Sequence, residues 1–203
     1  MLLDALRLLS AQVLGVTDPD PAAVMMRVLG VPVLGPDQVV LSHDPSAVLL
    51  VNGLGSVGST IARMRLFTSF VSRGYAFATV IHPTAIVAST VLLSEGVQVM
   101  AGAVVQPGAT LGDNVIVNTR ASVDHDCQIG AHVHIAPGAT LSGGVVVGEG
   151  AHIGTGAIVI EGVEIGARAI LGAGTVVLRN VPADATVVGN PARILEADTG
   201  SSP

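Results

Sequence analysis

The sequence predicts a chain in two parts: a small α/β unit over residues 1–80, then an all-β parallel β-helix over 81–181, followed by a tail at 182–203. Two observations predict it. From Ile81 to Val177 an aliphatic residue returns every six positions, 17 times in succession without an insertion. The residue four places after each is Ala, Val, Cys or Thr, never anything larger. Residues 1–80 lack this period and instead alternate short apolar runs with helical patterns, the mark of a parallel α/β arrangement.

A period of six fits neither a helix nor an alternating strand, and belongs to the hexapeptide β-helix class. Each short strand places one large and one small side chain inside, and Gly or Asn suits the corners. Three such faces close a coil of 18 residues, and stacked coils hydrogen-bond at about 4.8 Å per layer. The ladder from Ile81 to Val177 fills between five and six coils. Gly directly follows the aliphatic residue at 112, 130, 148, 154, 166 and 172.

Composition agrees with a narrow, repetitive interior. Hydrophobic residues make up 50% of the chain but aromatics only 2%, so Val, Ile, Leu and Ala must fill the core. The net charge is −6, every basic side chain is Arg, and no basic cluster exists to neutralise a phosphate backbone, which argues against nucleic acid. Mean hydropathy is +0.69, yet apolar runs such as Ala47 to Val51 are strand-length. A spanning helix needs about 20 apolar residues. Asp4 interrupts an N-terminus that lacks the basic start of a signal peptide. The lone Cys127 has no internal disulfide partner. The expectation is a soluble cytoplasmic protein with no membrane span.

In the first unit, Leu2 to Leu9 reads as a helix and Gln12 to Val16 as a strand ending at Thr17-Asp18-Pro19. A second helix is expected from Ala22 to Val28, closed by Gly30, and a buried strand from Ala47 to Val51. The turn Asn52 to Gly58, a helix from Ser59 to Ser72 and a last strand from Ala76 to Ile81 follow. Gly53-x-Gly55-x-x-Gly58 has the form of a dinucleotide fingerprint, and glycines there let a backbone approach phosphate at a helix N-terminus. The acid that should follow about 20 residues later is missing, since no Asp or Glu lies between Asp44 and Glu95. A phosphate-bearing ligand and a mere tight turn both remain open for Gly53 and Gly55, with a dinucleotide the least favoured. A Rossmann-like unit also opens with a strand and a Gly-rich turn. The chain starts inside its first helix, so the expectation is that this strand and loop are encoded upstream of Met1.

The most chemical stretch is Asn118 to Gly130, where Asp124-His125-Asp126 sets one imidazole between two carboxylates. Such a His can be held in one tautomer and made more basic, which suits a general base. One coil further on, at 125 + 18, stands Gly143, leaving a notch beside the imidazole. Thr155 and Ala173 share a column, as do His134 and His152, where a polar ladder is the plainer reading. Cys127 occupies a small interior slot and is structural. Asn118 either orients substrate or caps a corner.

The pattern N-x-x-A-x-V-x-H-[DE]-C-x-I-G over Asn118 to Gly130, with the ending Gly189-Asn190-Pro191-Ala192-Arg193, resembles the NeuD/PglD-type sugar acetyltransferases of the hexapeptide-repeat acyltransferase superfamily. The resemblance implies a left-handed β-helix, a homotrimer and an acetyl-CoA-dependent transfer to the amine of a nucleotide-linked amino sugar in bacterial surface glycan biosynthesis. It implies His125 as base, Asp126 as the acid that raises its basicity, and acetyl-CoA contacts at His134, Gly143, Thr155 and Ala173. Asn118, Asp18, Gly53 and Gly55 would meet the sugar nucleotide, in a groove between subunits. No metal is implied. The acid at position 126 is more often Glu in the amine-acetylating relatives. Sugar O-acetylation is the competing activity. A zinc-dependent carbonic anhydrase would need a second His at position 130, which is Gly, and an ice-binding solenoid would need a regular Thr ladder.

Overall fold

The computed structural model describes residues 1–24 and 26–195. Residues 196–203 of the expected tail lie outside the described residues. Strands recur every six residues from Val80–Ile81 to Val176–Val177, and each pairs in parallel with the strand 18 residues away. They form three faces. One face carries Val80–Ile81, Gln98–Val99, Ile116–Val117, His134–Ile135, His152–Ile153 and Ile170–Leu171, extended by Thr186–Val188 and an antiparallel Arg193–Ile194. The second runs from Ile86–Val87 through Ser122–Val123 to Val176–Val177, and the third from Leu92–Leu93 through Gln128–Ile129 to Glu164–Ile165.

The six-residue ladder is the core. Val99, Val117, Val123, Ile135, Leu141, Ile153, Val159 and Leu171 are fully buried, as are the small partners Ala103, Ala121, Cys127, Ala139, Ala151 and Ala169. The two kinds of glycine serve different ends. Corner residues in the left-handed region include Gly144 and Gly156, but also Asn114, Arg120, Asp126 and His132. The glycines that directly follow the aliphatic residue have no such backbone; a Cβ on Gly130 would come 2.8 Å from the Glu149 nitrogen of the next coil. Those positions are small because adjacent coils touch there.

The N-terminal unit contains helix α1 (Leu2–Leu8), β1 (Val16–Thr17), β2 (Arg27–Val28), β3 (Val31–Gly35), β4 (Leu49–Leu50), helix α2 (Ile61–Val71) and β5 (Ala76–Phe77). The helix expected over 22–28 is not there. Asp20 caps a single 3₁₀ turn at Pro21–Ala23, and β2 and β3 then form a hairpin. Leu29 and Gly30 both take positive φ, as a two-residue hairpin turn requires, so Gly30 turns a hairpin rather than ending a helix. The strand expected over 76–81 is two strands. Ala76–Phe77 pairs with β4, whereas Val80–Ile81 is the first rung of the solenoid. β1, β3 and β2 form one small sheet and β4 with β5 another.

This unit packs on the first face of the solenoid. The outward-pointing Gln98, Ile116, His134 and His152 are buried at 2%, 5%, 5% and 8% exposure. The loop and helix that cover them are fixed by hydrogen bonds from Gln98 Nε2 to the Asn52 carbonyl (2.8 Å) and from Thr60 Oγ1 to the Gly150 carbonyl (2.8 Å). Phe67 of α2 meets His132 edge to face with ring centroids 5.6 Å apart.

Candidate active site

His125 sits at the corner between the second and third faces, immediately after Ser122–Val123 and before Gln128–Ile129. Asp126 takes φ 58°, and that backbone bend brings its carboxylate back onto the ring. His125 Nδ1 and Asp126 Oδ2 are 2.9 Å apart. Nδ1–H therefore donates to the carboxylate, which leaves the lone pair on Nε2. The two flanking acids have different tasks: Asp124 accepts the His125 backbone N–H at 2.8 Å and touches the ring only through space. The His125 pKa is raised, chiefly by the hydrogen bond to Asp126; burial opposes it, and the negative charges of Asp124, Asp126 and Glu161 add to the rise. Glu161 was not foreseen, although it follows His125 by two coils in the same corner column, with Gly143 between.

The notch expected beside the imidazole is filled by the imidazole itself. A Cβ on Gly143 would lie 2.5 Å from both Cε1 and Nε2 of His125. Likewise a Cβ on Gly108, one coil below Asp126, would collide with Asp126 Oδ1. The dyad thus rests on two glycines, of which only Gly143 was evident from spacing. What remains open is the outer edge: the side chains are 55% and 73% exposed. Cys127, beside them in sequence, points inward, is fully buried and donates to the Ser142 carbonyl at 3.2 Å, and burial raises its thiol pKa.

The other expected site residues do not gather around His125 within one chain. Asn118, Thr155 and Ala173 lie along the corner between the first and second faces. Asn118 Oδ1 caps that corner by accepting Thr119 N–H at 2.7 Å, and its Nδ2 lies 3.2 Å from His134 Nε2. His134 is internal: its Nδ1 bonds Ser56 Oγ of the Gly-rich loop, and its ring meets His152 edge to face at 5.1 Å. Burial, the neighbouring His152 and the Arg63 charge push the His134 pKa down to about 4. Gly53 and Gly55 are exposed in the loop that Ser56 anchors. Asp18 follows β1, and its carboxylate accepts the Asp20 N–H at 2.8 Å.

Arg63 is a residue that sequence reasoning passed over. It lies on α2, buried at 1% exposure, and its Nη1 donates to the carbonyls of Asn52 (2.8 Å) and Leu54 (2.7 Å). Its spacing carried the signal, because Arg63, Phe67 and Phe70 stand at i, i+4 and i+7 on the buried side of one helix. Among the described residues, no three His, Cys, Asp or Glu side chains are grouped as a metal site would need.

A stacked hexapeptide solenoid with an Asp-supported His at its corner defines an acyltransferase of the hexapeptide class. A family model, bacterial transferase hexapeptide (six repeats), matches residues 108–143 and 144–179. The acetyltransferase domain of PglB from Neisseria gonorrhoeae, solved with acetyl coenzyme A, superposes with a TM-score of 0.87 at 37% identity, over 95% of this chain and 91% of that one. PerB from Caulobacter crescentus, solved with CoA and GDP-perosamine, gives 0.82 at 40% identity over 96% and 90%. WeeI from Acinetobacter baumannii gives 0.84 at 27% identity over 96% and 93%. No curated protein matches the chain. The chain belongs to the NeuD/PglD-type sugar acetyltransferases, and its β-helix is the left-handed one of that family.

Proposed function

We propose that this enzyme moves the acetyl group of acetyl-CoA to the amino group of a nucleotide-linked amino sugar, for the assembly of bacterial surface glycans, with His125 as general base. The observation that carries this reading is the Asp126–His125 pair at 2.9 Å, pressed against Gly143. Nε2 takes a proton from the amine as its nitrogen attacks the thioester carbonyl carbon. The C–S bond then breaks, and the departing thiolate receives the proton from the imidazolium, so the products are the acetamide and CoA. Asp126 favours the imidazolium formed in between.

Half-exposed in one chain, the dyad needs a second wall to exclude water. A homotrimer supplies it. The second face carries outward Ile86 and Ile158 at 66% and 43% exposure, and packing it on a neighbour would bring that neighbour's Thr155–Ala173 corner towards His125. Acetyl-CoA would then lie from Gly143 along that corner, with Asn118, backed by His134, facing the acceptor. Gly53, Gly55 and Asp18 would hold the nucleotide end. The complex of PerB with CoA and GDP-perosamine supports the substrate pair. On this reading the reaction is cytoplasmic, where acetyl-CoA would be supplied.

The test is acetyl-CoA consumption over a panel of nucleotide-linked amino sugars, with sialic acid as the hydroxyl acceptor. Wild-type turnover on an amino sugar that His125→Ala lowers by about 10²-fold or more is the expected result. Turnover confined to the hydroxyl acceptor, or retained by His125→Ala, refutes the reading.

A further inference from the structure

Loop 52–58 contains glycines that the fold itself does not require. Gly58 takes φ +72°, a backbone that a side chain would strain. Gly53 and Gly55 have no such backbone, and a Cβ on either would meet nothing within 4 Å. Both are exposed. Their bareness therefore concerns something that approaches from outside.

Beneath this loop lies the Arg63 guanidinium, holding the Asn52 and Leu54 carbonyls at 2.8 and 2.7 Å and the Asn114 carbonyl at 3.4 Å. Its Nη2 is buried without a partner. Among the described residues no carboxylate pairs with it; the ion pairs are His125–Asp126 and Arg168–Asp184. A buried cation facing carbonyls alone leaves a positive field unneutralised. Across a trans peptide the C=O and N–H point in opposite directions. Among the described residues the one cis peptide is Asn190–Pro191, so drawing the carbonyls of residues 52 and 54 inward turns the N–H groups of Gly53 and Gly55 outward. Among the described residues neither N–H has an acceptor. The Leu54 N–H between them is taken by Asn52 Oδ1 at 3.2 Å, so two free N–H groups without Cβ atoms flank it, in the loop that leads into the 11-residue helix α2, and can converge on an anion.

We propose that Arg63 is the positioning residue of a diphosphate subsite on loop 52–58: it fixes the loop so that the Gly53 and Gly55 N–H groups grip the nucleotide's phosphates, while its unpaired charge draws them in. The proposal rests on the nucleotide-linked acceptor argued above. Arg63 does not touch the ligand, so its removal must act on acceptor binding and spare the chemistry.

The test measures kcat and KM for acetyl-CoA and sugar nucleotide in the full-length protein, with calorimetric titration of guanosine diphosphate and inorganic pyrophosphate at low and high salt. Arg63→Lys keeps the charge but loses the fork. Arg63→Lys and Gly55→Ala should each raise the sugar-nucleotide KM by about tenfold, the effect of weakening a hydrogen bond to a charged group, with kcat and the acetyl-CoA KM within about twofold. Wild-type values for the sugar nucleotide in both variants overturn the proposal. If Arg63→Lys does not fold, Gly55→Ala decides alone, because its new methyl group meets nothing in the fold, and an unchanged KM again overturns it. Equal efficiency of wild type on free and nucleotide-linked amino sugars, with no diphosphate binding, would instead sink the acceptor reading and this subsite with it.

Discussion

The His125 imidazole lies directly against Gly143, so close that a Cβ there would stand 2.5 Å from both Cε1 and Nε2. The glycine is thus a seat for the imidazole proposed as the base, and it sets how closely the ring lies against the coil. Gly143→Ala should tilt the ring off its seat while leaving the coil intact, because the clash is with a side chain that can move. Turnover is expected to fall by about tenfold to a hundredfold, since misplacing a reacting group by an ångström costs that much. Circular dichroism and melting temperature should stay near wild type. Steady-state turnover equal to wild type in Gly143→Ala would show that the seat has no role.

Asp126 raises the pKa of His125 through the 2.9 Å hydrogen bond, with Asp124 and Glu161 adding to it through space. A base works only when deprotonated, so activity should be lost as pH falls through this raised value, and the acidic limb of the pH profile should lie above 6.5. Asp126→Asn removes the largest contribution, so the limb should move to lower pH while the plateau drops. A profile of kcat/KM against pH for both proteins checks this; coincident acidic limbs would remove Asp126 from the role.

Much of this was legible in the sequence, and the reason is periodicity. A solenoid repeats its environment every six residues, so Val117, Val123 and Ile129 announce their burial by spacing alone, and 125 + 18 locates Gly143. The N-terminal unit has no such repetition. Ala22 to Val28 looked helical because its composition permits a helix, and the hairpin that replaces it is decided by the positive φ at Leu29 and Gly30. The docking face was the least legible part. His134, His152 and Gln98 are polar residues at outward positions, which in a bare solenoid would be wet. They are buried only because loop 52–58 and α2 cover them, a long-range contact that no local pattern records.

That cover makes the joint between the two units sensitive to acid. His134 is held at a pKa of about 4, by burial first and then by His152 and Arg63. His132 and His152 are also lowered, mainly by burial. Above pH 6.5 these rings are neutral whether folded or not, so they carry no penalty there. As pH falls from 6.5 towards 4 the unfolded chain takes up protons that the folded one refuses, and stability declines. For His134 alone the full loss is about 3 kcal/mol. Urea unfolding followed between pH 7 and pH 4 should show it, and His134→Gln should flatten the decline. A midpoint that does not change over that range would rule out a buried neutral His134.

The glycines that directly follow the aliphatic ladder make a sharper prediction than those at the corners. A Cβ on Gly130 would come 2.8 Å from the Glu149 nitrogen and 3.0 Å from both the Gly148 carbonyl carbon and the Val147 oxygen, all of them backbone. The Gly130 N–H also donates to that Val147 oxygen at 2.8 Å, so the coils are already bonded at this point. No flexible side chain can yield there, and relief requires the coils to separate, stretching the ladder between Gln128–Ile129 and Val146–Val147. Gly130→Ala should therefore destabilise the protein by about 1–3 kcal/mol, the usual cost of overpacking. Gly138→Ser would be a poor control because of its positive φ, whereas Gly53→Ala, in open space, should leave the unfolding midpoint unchanged. Chemical denaturation of the two variants beside wild type separates the cases. Equal midpoints for Gly130→Ala and wild type would mean that contact between coils does not limit this position.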